Sequence, residues 1–269
     1  MKALLLFISL VFCSVVGCSN GNSNKRIESE TPDTLNLTIV PDIPEAALIL
    51  IQAYPEQGLT YKDNMICFAD GTSFIFDDGK EKDFVTLLDN SDIEDMFSFD
   101  YDTTGTPKYL ADAGRSRCDS FFKKMYGSSA AEVQKNLVNV QWFGQTIRFS
   151  RINGANKQLE RVAAEIAENY PELKDYMQSC GTFYWRQVRG ANRQSAHSYG
   201  IAIDINTKYS DYWLWKNRNA SETQKISYVN RIPLEIVRVF EKYGFVWGGR
   251  WYHFDTMHFE YRPEINTTR

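Results

Sequence analysis

Apolar residues recur every three or four positions in two parts of the C-terminal half of the chain. This spacing predicts amphipathic helices over residues 156–170 and 233–243. Pro171 and Gly244 follow these segments and are typical of helix ends. Nearer the N-terminus, the apolar segment between Pro44 and Pro55 predicts one more helix.

Elsewhere the apolar positions alternate with polar ones, which is typical of strands. This pattern predicts strands over residues 181–188, 200–206 and 257–261. Asp70-Gly71 lies between two apolar runs and predicts a hairpin over residues 65–76. Helices mixed irregularly with short strands predict an α+β fold, with a small, mainly antiparallel sheet flanked by helices.

In the first 35 residues, the apolar positions follow neither the helical nor the strand spacing. Residues 3–16 are almost wholly apolar after a basic start, too short to span a bilayer but long enough for a secretory signal. The following Gly17-Cys18 resembles a bacterial lipobox, which implies cleavage after residue 17 and a lipid on Cys18. The alternative is an ordinary signal peptide with a coincidental cysteine.

The residues after the signal predict where the protein lies. Ser19 after Cys18 favours an outer-membrane address if the host has one. The polar residues 18–35 predict a flexible tether.

Composition limits the classes of partner. Of the 269 residues, 43% are hydrophobic and the net charge is −4, which fits a globular protein and disfavours nucleic-acid binding.

We expect a monomer with an N-terminal α/β region at 36–140, packed on a catalytic domain at 141–269. Ten acidic residues within 77–102 fit no calcium-binding loop, so we interpret them as a solvated surface.

The cysteines predict little chemistry. Three remain after the lipidation motif, and an exported chain can oxidise them, but they allow at most one disulfide. The sequence does not decide which two would pair among Cys67, Cys118 and Cys180.

The candidate chemistry lies in two predicted strands. Asp204 alternates with isoleucines at 201, 203 and 205, and a carboxylate in such a strand needs a partner or a cation. His197 precedes this strand, and His258 lies on the other with Glu260 on the same face. Two imidazoles and one carboxylate form the ligand set of a catalytic zinc site with an open fourth position.

These residues stand in two motifs that resemble one family. Residues 195–204 match S-x-H-x-x-G-x-A-x-D, and residues 247–260 are similar to W-G-G-x-W followed by D-x-x-H-F-E. Both are typical of the D-alanyl-D-alanine carboxypeptidase family of zinc peptidases, especially its VanY-like and L-alanyl-D-glutamate endolysin branch. The resemblance covers residues 151–265 and implies a small α+β fold with a single zinc site, similar to that of hedgehog domains.

The resemblance implies a role for each motif residue. His197, Asp204 and His258 would bind Zn²⁺, and Asp255 would be the general base. If Asp255 is to reach the metal site, the chain must bend at residues 254–256. Glu260 is the next candidate for the base.

The resemblance also implies an arginine that binds the developing oxyanion, and the sequence offers three candidates for it. Arg186 is the first choice for binding the substrate carbonyl and its oxyanion, with Arg189 and Arg193 as alternatives. Ser195 would hold the His197 loop or contact the substrate.

The resemblance and the signal together imply a lipid-anchored, zinc-dependent peptidase of the cell envelope. Its partners would be peptidoglycan stem peptides and the membrane, and its activity most simply that of a D-alanyl-D-alanine carboxypeptidase. The alternatives are an L-alanyl-D-glutamate endopeptidase and a non-catalytic, zinc-bearing wall-binding module. Asp255 argues against the last, because a binding module needs no base.

Overall fold

The computed structural model describes residues 43–188 and 190–266, and these residues belong to one compact unit. The predicted signal, the tether and Cys18 lie outside the described residues. Helices α1 to α7 are Glu45–Ala53, Phe84–Asp89, Asp119–Tyr126, Ala130–Gln134, Ala155–Asn169, Trp213–Lys216 and Leu234–Lys242. Strands β1 to β8 are Thr60–Lys62, Met65–Cys67, Ser73–Ile75, Leu137–Trp142, Gln145–Ser150, Ala202–Asp204, Phe245–Trp247 and His258–Tyr261. None of the described helices combines the length and the apolar character that a membrane span requires.

Within the described ranges, all strand pairs are antiparallel, and they form three small sheets. Their orders are β1-β2-β3, β4-β5 and β6-β8-β7. The predicted α+β fold with a small antiparallel sheet is confirmed.

The three predicted helices form as α1, α5 and α7, and β2 and β3 form the predicted hairpin. The strand predicted over 181–188 is wrong. This segment has only isolated bridges, at Gly181 and Gln187. Its backbone bonds instead to the turn that carries His197, for example from Tyr184 N to His197 O, so no continuous ladder can form.

The sheet β6-β8-β7 has one face in the main core. Ile203, Phe259 and Trp247 share that face, and all three are buried. The ring of Phe259 stacks on Phe240 of α7, with 3.9 Å between ring centroids. The opposite face of the sheet therefore remains for polar groups.

The segment before residue 140 packs directly on the C-terminal part. Tyr54 donates a hydrogen bond to Glu264, and Asp119 accepts one from the backbone of Gln194 at 2.9 Å. Both contacts join residues far apart in sequence. The boundary at residue 140 stays a prediction.

The acidic segment is only partly the solvated surface that we expected. The Lys82 side chain is 5% exposed and forms ion pairs with Asp78, Asp92 and Asp95. One buried lysine thus organises several of the carboxylates. The thiols of Cys67, Cys118 and Cys180 are all free.

Candidate metal centre and substrate cavity

The pairing of β6 with β8 positions the first two candidate ligands. Asp204 lies directly opposite His258, and Ala202 lies opposite Glu260. Directly opposed residues of an antiparallel pair project from the same face. The carboxylate and imidazole therefore meet on the face that points away from the core, 3.1 Å apart at Asp204 Oδ1 and His258 Nδ1.

A short 3-10 turn, Ala196–Tyr199, brings His197 to the same place. The turn ends at Gly200, whose φ is +67°, and a Cβ there would lie 2.3 Å from the Leu137 side chain. Only glycine satisfies both the left-handed backbone and the close approach. The glycine of the first motif thus determines how the chain passes from His197 into β6.

Three donor atoms form a nearly equilateral triangle. His197 Nε2 lies 3.2 Å from Asp204 Oδ1 and 3.2 Å from His258 Nδ1. A tetrahedral zinc ion with bonds of about 2.0–2.1 Å would hold its ligand atoms about 3.3 Å apart. The observed spacing fits this ion without movement of the ligands.

The remaining nitrogen of each imidazole has its own partner. His197 Nδ1 lies 3.0 Å from the carbonyl oxygen of Thr182, and His258 Nε2 lies 3.1 Å from Glu260 Oε2. Both partners are acceptors, so each of these nitrogens donates. The other two ring nitrogens, His197 Nε2 and His258 Nδ1, therefore face the centre of the triangle, as metal ligation requires.

The charge of Asp204 is well stabilised. Burial opposes ionisation, but the adjacent His197 and His258 outweigh it and hold the pKa of Asp204 well below its usual range. Glu260 behaves similarly, because Arg117 and His258 offset burial and lower its pKa to about 2. Both carboxylates are therefore ionised at neutral pH.

Asp255 enters the site through a turn. His258 N donates to Asp255 O at 3.1 Å, which closes a turn over residues 255–258 that overlaps the bend expected at 254–256. Asp255 N donates to Gly248 O, and a Cβ at Gly248 would lie 2.5 Å from Asp255 O. The second motif thus needs glycine at 248 so that the Asp255 backbone can approach.

The carboxylate of Asp255 is the least satisfied group in the site. Its Oδ1 is buried and has no hydrogen-bond partner among the described residues. Burial and the neighbouring charge of Asp204 raise the pKa of Asp255 to about 7. A carboxyl with this pKa can both accept and return a proton near neutral pH.

A cavity of about 430 Å³ joins these groups. It is lined by every described candidate from the sequence: Arg186, Arg193, Ser195, His197, Asp204, Asp255, His258 and Glu260. Arg189 lies outside the described residues. Trp251 of the second motif also lines the cavity, whereas Trp247 of that motif and Tyr199 beside His197 are buried in the core.

The two described arginine candidates differ in setting. Arg186 is exposed at the cavity, and its guanidinium makes a long 3.4 Å contact with the Gln187 carbonyl. Arg193 is buried and ion-paired with Asp89. Arg186 is therefore the freer of the two to contact a substrate.

Ser195 was expected to hold the His197 loop or to contact the substrate, and the side-chain hydrogen bonds described for that turn come from Ser198. Ser195 N donates to Arg186 O, and its side chain lines the cavity. Ser198 Oγ accepts from Arg186 N at 2.9 Å and from Gln194 Nε2 at 2.8 Å. Ser198 thus ties the 181–188 segment to the His197 turn.

Sequence reasoning missed several lining residues. Aromatic side chains come from Tyr212, Trp213 and Trp215, next to α6 or within it, and basic ones from Arg115 and Arg117. The paired arginines in R-S-R-C were visible in the sequence, but no local pattern relates them to strands more than eighty residues later.

Comparison with known proteins agrees with this geometry. Residues 189–261, about a quarter of the chain, match the sequence model of a family described as D-alanyl-D-alanine carboxypeptidase. The matched segment contains both motifs and all three residues of the triangle. The match supports a peptidase of this family. Neither the curated proteins nor the solved structures gave a significant match to the chain.

Proposed function

We propose that this protein is a zinc-dependent peptidase that hydrolyses peptidoglycan stem peptides, in the first place as a D-alanyl-D-alanine carboxypeptidase. The observation that carries the proposal is the triangle of donor atoms from His197, Asp204 and His258, with the Asp255 carboxylate in the same cavity. The family match supplies the class of substrate.

His197, Asp204 and His258 would hold the ion. Zinc, when bound, supplies Lewis acidity that activates a water molecule and polarises the scissile carbonyl. Glu260 orients His258 through the 3.1 Å hydrogen bond to Nε2.

The protein's own groups would manage the proton and the developing charge. Asp255 accepts a proton from the attacking water through its unpartnered oxygen and returns it to the leaving amine. Arg186 donates to the oxyanion that forms on the substrate carbonyl. Its exposed, weakly bonded guanidinium supports this role better than the ion-paired Arg193.

An L-alanyl-D-glutamate endopeptidase is the alternative within the same class, because the same residues could cut either bond. A non-catalytic, zinc-bearing wall-binding module is the alternative outside it. The buried, unpartnered oxygen of Asp255 favours the enzyme, since such a group is costly unless it has a catalytic use.

We also propose that the protein works as a monomer in the cell envelope, anchored by a lipid on Cys18 and facing the periplasm or the exterior. The apolar residues 3–16, the G-C motif and the polar tether support this placement. In cells, C18S should move the protein out of the membrane fraction and abolish fatty-acid labelling. Unchanged labelling would contradict lipidation at Cys18.

Mass spectrometry of muropeptides tests the activity. The purified, zinc-loaded protein should release D-alanine from pentapeptide stems, and chelation should stop the release until zinc is restored. Release of products cut between L-alanine and D-glutamate would identify the endopeptidase. Unchanged muropeptides with zinc fully bound would favour the binding module.

A further inference from the structure

A line of buried polar groups leads from His258 away from the candidate metal centre. Glu260 Oε2 accepts a hydrogen bond from His258 Nε2 at 3.1 Å, and Glu260 Oε1 accepts one from Arg262 Nη1 at 3.0 Å. Arg262 Nε donates to Glu264 Oε1, and the Tyr54 hydroxyl donates to Glu264 Oε2. We define the buried charge chain as Glu260, Arg262, Glu264 and Tyr54. It connects His258 to Tyr54, which directly follows α1.

The buried charge chain is shielded from solvent. Each of its residues is at most 1% exposed, and the ring of Phe122 covers the Arg262 guanidinium at 4.9 Å. The charges alternate along it, because the Arg262 cation lies between two carboxylates. Bulk water cannot replace a partner that is lost there, so an unpaired member would carry a large desolvation cost. The position of each side chain therefore depends on the next one.

Arg262 determines which oxygen of Glu260 faces His258. Arg117 also contacts Glu260, but its Nη1 lies 3.4 Å from both carboxylate oxygens and so does not distinguish them. The Arg117 guanidinium is held instead by two backbone carbonyl groups. Arg262 donates to Oε1, which leaves Oε2 turned toward His258.

The segment before residue 140 fixes Arg262 in turn. Arg262 Nη1 donates to Gly114 O at 2.6 Å, and Arg262 Nε donates to Glu264, which Tyr54 holds. Gly114 and Tyr54 both lie in this segment. They lie outside residues 189–261, the part that matches the family, as do Arg262 and Glu264. Most of the buried charge chain is thus a feature of this protein beyond the matched motifs.

Stability alone does not explain such a cluster. Replacing a buried ion pair by apolar side chains of similar volume is often neutral or stabilising. By contrast, a carboxylate that accepts from the second nitrogen of a ligating imidazole fixes the ring and strengthens it as a ligand. Glu260 has this relation to His258. The groups that hold Glu260 therefore act on a candidate metal ligand.

We propose that Arg262 is a positioning residue of the metal centre. Held by Glu264 and Tyr54, it fixes Glu260 on His258 and thereby sets the affinity for zinc. This inference rests on the zinc site of the proposed function. It gives the segment before residue 140 a role in metal binding, because that segment supplies Tyr54 and Gly114.

A double-mutant cycle tests whether Arg262 acts through Glu260. R262K keeps the charge between the two carboxylates but lacks the planar fork of the guanidinium. In competition with a chelator, R262K should raise the dissociation constant of zinc roughly 10-fold, the lower end of the range for a lost partner of a metal ligand. In the E260Q background, R262K should raise it by less than about twofold, because the route to His258 is already broken. A purely structural role of Arg262 would cost the same factor in both backgrounds.

A second pair of variants tests the far end of the buried charge chain. Y54F removes the hydroxyl that holds Glu264 and keeps the buried ring. It should raise the zinc dissociation constant roughly 2- to 5-fold, since a hydrogen bond further from the metal passes on only part of its effect. Y126F is the matched control, because Tyr126 is also buried but its hydroxyl accepts from Asn153 Nδ2 at 3.2 Å. Y126F should bind zinc as the parent does.

Thermal melting establishes that each variant is folded at the temperature of the titration. The inference is overturned if folded R262K binds zinc as tightly as the parent, if it costs the same factor in both backgrounds, or if Y54F weakens zinc binding no more than Y126F. Should R262K fail to fold, Y54F and Y126F decide alone. A protein that binds zinc but cuts no stem peptide would refute the proposed activity, and the same affinities would still decide on the buried charge chain. A protein that binds no zinc would refute both.

Discussion

His253 borders the same cavity as His197 and His258, and all three imidazoles have carboxylate neighbours. His253 Nδ1 contacts Asp112, and His253 Nε2 lies 2.8 Å from the carbonyl oxygen of Glu222. Both of its nitrogens are therefore occupied by acceptors of the protein. In the triangle, by contrast, one nitrogen of each imidazole meets only the other candidate ligands.

The difference shows that the mere presence of histidines and acids does not make a metal site. The Asp112–His253 pair is completed by Arg115, and burial is offset by Arg115 and His253, which lower the pKa of Asp112 to about 2. That cluster is a closed structural unit. The triangle instead leaves three donor atoms directed at one point, which is the property that a metal requires.

The largest expected effect separates the two clusters. H197A or H258A should lose bound zinc and all hydrolysis, because two protein ligands remain where three were present. H253Q, the matched control, should keep zinc at the parental level, since both ring nitrogens of His253 already face acceptor atoms of the protein. Elemental analysis checks both, and parental zinc content in both alanine variants would contradict the assignment.

The next effect concerns the base. D255N should retain zinc and the fold but lose roughly two to four orders of magnitude in kcat, the range of a lost general base. The amide can hydrogen-bond to water but cannot take its proton. Steady-state kinetics on a stem pentapeptide measure the loss. A parental rate would remove Asp255 from the mechanism and make Glu260 the next candidate.

A smaller effect is expected at Glu260 itself. E260Q keeps an acceptor for His258 Nε2 but removes the negative charge, so zinc affinity should fall roughly 10- to 100-fold. Competition with a chelator gives the affinity, and thermal melting shows whether the fold survives next to Arg117 and Arg262. Unchanged zinc affinity in a folded variant would mean that Glu260 serves only the arginines.

The smallest effect is one of stability in the metal-free protein. The pKa of Asp255 is raised to about 7 in the fold, so the native state holds this proton more tightly than the unfolded chain. Stability should therefore fall as pH rises from about 4 to 7, and D255N should lack this loss. At pH 8 we expect D255N to be about 1–3 kcal/mol more stable than the parent, with no difference near pH 3. Denaturant unfolding at both pH values tests this, and an equal gain at both would point to another cause.

Two of the three triangle residues could be placed from the sequence because they lie in short, regular strands, whereas His197 lies in the turn before β6. Asp204 interrupts an alternation of isoleucines, and His258 alternates with buried aromatic residues, so both belong to strands that the core must position. The bend at Asp255 followed from distance alone. These features depend on local periodicity and on the reach of the backbone.

The remainder depended on contacts that periodicity does not encode. The 181–188 segment has the apolar–polar alternation of a strand, but its backbone bonds to the turn that carries His197. The alternation therefore does not arise from continuous pairing in a sheet. Lys82 draws acidic residues into a buried cluster, and no spacing rule identifies that lysine in advance. Arg117 reaches Glu260 from 143 positions earlier, a distance at which sequence pattern carries no information.

Zinc-edge X-ray absorption of the purified protein tests the central claim most directly, because it measures the ligands themselves. The account predicts zinc bound by two imidazoles and oxygen donors at about 2.0–2.1 Å, with no sulfur. H253Q should give the same spectrum as the parent. A sulfur ligand at about 2.3 Å, from any of the free thiols, or an unchanged spectrum in H258A, would contradict it.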